Sequence, residues 1–163
     1  MPVPPTNESK SKTVLLTGAT GFVGSHLDAV LEVTDWNVRR ATRNRSRPSA
    51  PGWVQLDVED EATMAPALRG CSAAVYLIHS IDDSEDYPER EARSAEAFLK
   101  AAEREGVRRI VYVGGVAPSG RPSRHLQSRL RTGEILRSGD VSTIELRCGL
   151  IIGAGGSSWM MVR

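Results

Sequence analysis

A chain of 163 residues, 40 % hydrophobic and 25 % charged, is long enough for one globular domain that buries roughly 70 % of its unfolded surface. Its formal net charge of +1 provides no molecule-wide attraction to nucleic acid or to a membrane surface, and no run of ~18 apolar residues is present to cross a bilayer. Cys71 and Cys148 are far apart, lack further ligands at metal spacing and follow no apolar leader, so they read as reduced thiols of a cytoplasmic protein.

Met1 to Lys12, with Pro2, Pro4 and Pro5 among small polar residues, has no periodic face and is expected to be a flexible tail; the domain is expected to occupy residues 13–163. Thr13–Thr17 reads as a buried strand that turns directly into a helix at Gly21. Between them lies Thr17-Gly18-Ala19-Thr20-Gly21-Phe22-Val23-Gly24. Three glycines at this spacing tighten the turn, admit a pyrophosphate to the backbone and let the helix pack closely on the strand, while the first helical N–H groups face the anion. Gly18, Thr20, Gly21, Phe22, Val23 and Gly24 are therefore candidate dinucleotide-binding residues. The helix that follows shows an apolar stripe of Phe22, Val23, Leu27, Val30 and Leu31.

Strands are expected at Asn37–Thr42 and Trp53–Leu56, a short helix around Glu61–Leu68, and a strand at Ala73–Ile78. A long helix over Pro88–Glu105, a strand at Arg109–Val113, a helix near His125–Leu136 and a strand at Ser142–Leu146 complete the series. Gly70 and Gly106 stand where helices stop, and Pro88 where a first turn tolerates a missing N–H. In the long helix Ala92, Ala95, Phe98, Leu99 and Ala102 make the buried face, whereas Glu89, Arg93, Glu96, Lys100 and Glu103 make a solvated one. Strands alternating with helices, several of them apolar throughout, predict an α/β doubly wound Rossmann fold: a mainly parallel sheet in the order 3-2-1-4-5-6 with helices on both faces. After Gly156 the residues Trp159 to Arg163 read as the opening of a helix that still needs a partner, so the chain is expected to be a fragment, or to be covered there by another protein.

The strand at 37–42 runs into Arg39-Arg40-Ala41-Thr42-Arg43-Asn44-Arg45-Ser46-Arg47. An acidic residue at such a strand end accepts from a free ribose; a guanidinium complements a 2′-phosphate instead. Arg43, with Asn44 beside it, therefore predicts NADP(H) in preference to NAD(H). The five arginines lack the interleaved aromatic residues of a nucleic-acid platform. Asp57 either accepts from an adenine amino group, with Val58 packed on the ring, or caps the next helix. Leu77, Ile78 and His79 end their strand where a doubly wound sheet places adenosine and pyrophosphate.

Thr17 to Gly24, together with Tyr76-Leu77-Ile78-His79-Ser80, Tyr112-Val113-Gly114-Gly115, His125-Leu126-Gln127-Ser128-Arg129 and Arg147 to Gly153, resembles the short-chain dehydrogenase/reductase superfamily. The likeness is to its extended and atypical NAD(P)H-binding branch, described as nucleoside-diphosphate-sugar epimerase-like, and covers the chain from Thr13 onward. Such members continue further, which fits a fragment lacking the C-terminal substrate region. Catalytic members use a tyrosine and a lysine four residues apart, the lysine lowering the phenol pKa. Here that pair reads His125 and Arg129, the candidate acid and its companion, and the usual serine is replaced by Gly114-Gly115, with Ser119 a distant substitute. The resemblance implies an NADP-dependent oxidoreductase or epimerase-like enzyme acting on an unknown small molecule. The missing catalytic set leaves a second reading, a non-catalytic redox sensor that regulates a partner protein, and a homo-oligomeric scaffold is a third.

Overall fold

The computed structural model describes residues 12–46, 50–79, 86–153 and 155–156. Nearly all of the expected N-terminal tail, the Arg47 end of the basic run and the expected terminal helix at 159–163 lie outside them.

The chain alternates β1 (Thr13–Leu16), α1 (Phe22–Leu31), β2 (Asn37–Thr42), β3 (Trp53–Gln55), a 3-10 turn (Glu61–Thr63) leading into α2 (Met64–Leu68), β4 (Ala73–Tyr76), α3 (Tyr87–Arg104), β5 (Arg109–Gly115), α4 (Arg124–Arg137) and β6 (Ser142–Cys148). All six strands are parallel neighbours in the order β3-β2-β1-β4-β5-β6, as the sequence predicts. The polypeptide starts in the middle, winds outward to β3, and returns to the other side of β1. The reversal opens a crevice at the carboxyl ends of β1 and β4.

Period-two alternation sorts β1 into two cores. Leu15 faces α2, α3 and α4 and joins Met64, Leu68, Tyr76, Phe98, Ile110, Tyr112 and Leu136. Val14 and Leu16 face α1 and join Val38 and Val75, with Leu27, Leu31, Trp36 and Trp53 packed around them. On α3 the alanines at 92, 95, 101 and 102 are buried, so the helix approaches the sheet and Phe98 meets Tyr76 edge-on, ring centroids 4.9 Å apart. Lys100 and the charged residues in line with it are exposed.

Three expectations fail here: β4 stops at Tyr76 and not at Ile78, so Leu77, Ile78 and His79 lie just beyond the strand. Val30 is 61 % exposed and does not belong to the α1 stripe, because α1 meets the sheet over a narrow band in which Gly24 is its one buried residue. Asp57 does not cap the helix: Asp60 does, accepting from the Ala62 N–H, while Asp57 accepts from the Glu59 N–H within its own loop. β5 and β6 each run two residues further than the alternation suggests, to Gly115 and Cys148, in register with one another.

Candidate functional site

The turn after β1 is built on two constraints. Thr17 is fully buried, and its hydroxyl donates to the Val75 carbonyl (2.9 Å) while accepting from the Leu77 N–H (2.9 Å), so the ends of β1 and β4 are stitched together. Gly18 then takes φ +64°, with Leu77 Cβ 3.1 Å from where its own Cβ would stand. A methyl group on Gly24 would run into the Gly18 carbonyl, so α1 starts almost in contact with the turn. No side chain caps α1 at Gly21. Its first-turn N–H groups consequently remain available to an anion. This is a cradle into which a pyrophosphate fits and a side chain would not.

Two clefts open on either side of that turn. The first, about 880 Å³, lies over β2 and β3 and is lined by Thr20, Thr42, Arg43, Asn44, Asp57, Val58, Glu59, Ile78 and Arg90. The second, about 740 Å³, lies over β5 and β6 and is lined by Phe22, Val23, Gly24, Val113 to Val116, His125, Leu126, Arg129 and Cys148 to Ile151. Gly18, Gly21, Leu77 and His79 line both. Every candidate cofactor-binding residue of the sequence thus borders one cleft or the other, and His125 and Arg129 border the second.

The basic run divides sharply. Arg40 is paired with Asp28 of α1 (2.7 Å) and with Glu32 just past its C-terminal end (2.6 Å), and Arg39 donates to the carbonyls of Ala67 (3.0 Å) and Arg69 (2.6 Å) at the end of α2. Both are engaged within the fold. Arg43 lies past the strand, exposed at the rim of the first cleft. Asn44 shapes this bend, its side-chain oxygen accepting from the Ser46 N–H at 2.9 Å.

In the second cleft Ser123 caps α4, accepting from the Leu126 N–H, and so places His125 on the first turn. One turn on, the Arg129 carbonyl accepts from the Tyr112 hydroxyl at 2.9 Å, and the Arg129 guanidinium donates to the Val113 carbonyl at 2.9 Å. Tyr112 is therefore engaged in holding α4 to β5, and burial pushes its phenol up to about 12. The two imidazoles approach one another, the His79 and His125 ring centroids lying 6.1 Å apart. The His79 pKa is lowered, chiefly by burial and then by the Arg129 cation and His125; the Leu77 carbonyl and the Glu91 carboxylate pull the other way. Ser119 lies exposed on the loop beyond β5 and lines neither cleft.

Sequence reasoning missed Arg90 and Glu59 in the first cleft, and Cys148, Leu150 and Ile151 in the second. Arg90 carries no sequence signal, because a charged residue in a helix's first turn looks like solvated surface. Cys148 could have been found from the register, since its partner across β5 and β6 is Gly115. Both cysteines are free thiols. No helix among the described residues is long and apolar enough to cross a membrane.

Comparison with known proteins agrees with this geometry. A family model described as NAD(P)H-binding matches residues 18–138. A dihydroflavonol 4-reductase of Zea mays is 30 % identical over 123 residues, covering 64 % of this chain and 34 % of its own length. An N-acetyl-alpha-D-glucosaminyl-diphospho-ditrans,octacis-undecaprenol 4-epimerase of Escherichia coli O157:H7 is 32 % identical over 112 residues, covering 66 % and 33 % respectively. Among solved structures, a short-chain dehydrogenase/reductase superfamily protein of Agrobacterium tumefaciens with bound NAD superposes with a TM-score of 0.67 at 24 % identity, over 83 % of this chain and 48 % of that one. The chain spans about a third of the length of the curated relatives it matches. With its glycine turn, its switch-point crevice and this match over residues 18–138, the chain belongs to the NAD(P)H-binding family.

Proposed function

We propose that the chain is the cofactor-binding part of an NADP(H)-dependent oxidoreductase acting on a small carbonyl or alcohol. The observation that carries this reading is the pair of clefts meeting at the glycine turn. Adenosine lies in the first, with Asp57 accepting from the adenine amino group, Val58 and Ile78 against the ring, and Arg43 on the 2′-phosphate. Nicotinamide lies in the second, over Gly114 and Gly115 at the end of β5. The bound dinucleotide supplies the hydride. His125 exchanges the proton with the substrate oxygen, and Arg129 beside it, which cannot itself give up a proton, stabilises negative charge on that oxygen. Tyr112 is excluded from the role that a tyrosine plays in other members, because its hydroxyl is bound beneath α4 and its pKa is raised. Likeness to a 4-reductase supports the reductase form.

The test is NADPH consumption by wild type and His125→Ala against a panel of aldehydes, ketones and quinones, with NADPH binding measured in parallel. Loss of turnover with binding retained is expected; unchanged turnover removes His125 from the mechanism. The absence of a Tyr–Lys pair favours a second reading, a regulatory module. That module would distinguish NADP from NADPH in affinity and consume neither.

A further inference from the structure

A dinucleotide spanning both clefts lays its diphosphate across their junction, beside the first turn of α1. Four residues border both clefts, and of Gly18, Gly21, Leu77 and His79 the histidine is the one with a side chain that can carry charge. We propose that His79 is a titrating ligand of the dinucleotide diphosphate, neutral in the free protein and protonated in the complex, so that binding takes up a proton. This rests on the reading of the two clefts as halves of one dinucleotide site.

The groups around His79 are arranged for such a change. Its Nδ1 lies 3.3 Å from the Leu77 carbonyl, which can only accept, so Nδ1 carries a hydrogen and Nε2 is the nitrogen that gains the proton. Arg129 and His125 on α4 oppose a positive charge on the ring, as does its burial. On α3, Glu91 favours that charge; its carboxylate is buried and accepts from the Ser128 hydroxyl of α4. Arg90 on α3 and Glu59 on the loop after β3 border, with His79 and Glu91, a cavity of about 10 Å³ beneath the first cleft, roughly enough for one water. In the sequence Asp82, Asp83 and Glu85 follow closely, outside the described residues. Burial, Arg129 and His125 together outweigh the Leu77 carbonyl and the Glu91 carboxylate, so the ring's pKa lies below the usual imidazole value and the neutral form predominates at pH 7. A diphosphate at the junction brings two negative charges to the ring and reverses that balance. Binding then weakens as pH rises, by up to about tenfold per pH unit where the free imidazole is neutral and the bound one charged.

The experiment is calorimetric titration of the chain with NADP at pH 7 and fixed salt, in buffers of differing ionisation enthalpy, for wild type, His79→Gln and His79→Arg. Any proton change at the 2′-phosphate is common to all three. Wild type should take up a fraction approaching one proton more than either variant, His79→Gln should bind more weakly, and His79→Arg should bind without the pH dependence. Wild type binding NADP with the same proton count as His79→Gln overturns the proposal and leaves the two-cleft reading standing. No NADP binding by any of the three overturns both.

Discussion

Arg40 and Arg43 are three residues apart and carry the same charge, but one is paired within the fold and the other stands exposed at a cleft. Arg40 closes α1 onto β2 through Asp28 and Glu32, and Asp28 Oδ1 is already buried without a hydrogen-bond partner among the described residues. Arg40→Ala should therefore cost about 1–3 kcal/mol of folding stability, read from the denaturant midpoint, and leave the NADPH-to-NADH preference unchanged. Arg43→Ala should do the reverse: stability holds, and affinity for NADPH falls roughly ten- to a hundredfold more than affinity for NADH, as for one lost charge-assisted contact. Equal losses for the two cofactors contradict the assignment. Sequence singles out Arg43 by its place just past the strand, but could not show what engages Arg40, because that is an acidic pair brought across from twelve and eight residues earlier. The glycine turn, by contrast, was legible residue by residue, since its constraints are local. Gly24→Ala should force α1 away from the Gly18 carbonyl and destabilise the chain by about 1–3 kcal/mol while weakening dinucleotide binding.

At the scale of elements, strand order was readable because β1, β4 and β5 are covered on both faces and alternate with helices at regular intervals. Their ends were less so, since a ladder stops where its neighbour stops. β5 and β6 sustain one another to Gly115 and Cys148, beyond the last strongly apolar residues. β6 is also where the pattern of apolar residues parts from burial. Ile144 is 42 % and Leu146 48 % exposed, while Glu145 between them turns inward toward Gly114 and Gly133 and pairs with Arg137 and Arg147. Replacing Ile144 or Leu146 by Thr should change the stability of this chain by no more than about 0.5 kcal/mol. Leu136→Ala on α4, fully buried, should cost about 2–5 kcal/mol in the same denaturation experiment. Comparable costs at all three positions would mean that the β6 face is covered.

For the molecule as a whole, pH links the core to stability. Tyr76 and Tyr112 are both buried, and burial is the main cause of a raised pKa in each, with Tyr112 near 12. The unfolded chain loses these phenolic protons first, near pH 10, so the folded form holds more protons than the unfolded above that point. Stability should accordingly be flat in this respect below pH 10 and fall as pH climbs through the folded values, with a shallower fall in Tyr112→Phe. A denaturant midpoint that rose between pH 9 and 11 would contradict the sign. Near neutrality both phenols keep their protons and add nothing to this dependence.

The central claim is that one phosphorylated dinucleotide lies across both clefts. Parallel calorimetric titration with NADPH, NADP, NADH and NAD, at fixed salt and pH, tests it most directly. Single-site binding of all four, with NADPH and NADP at least about tenfold tighter, is the predicted result. Indifference to the 2′-phosphate would contradict the role given to Arg43, and failure to bind any of the four would contradict the two-cleft reading itself.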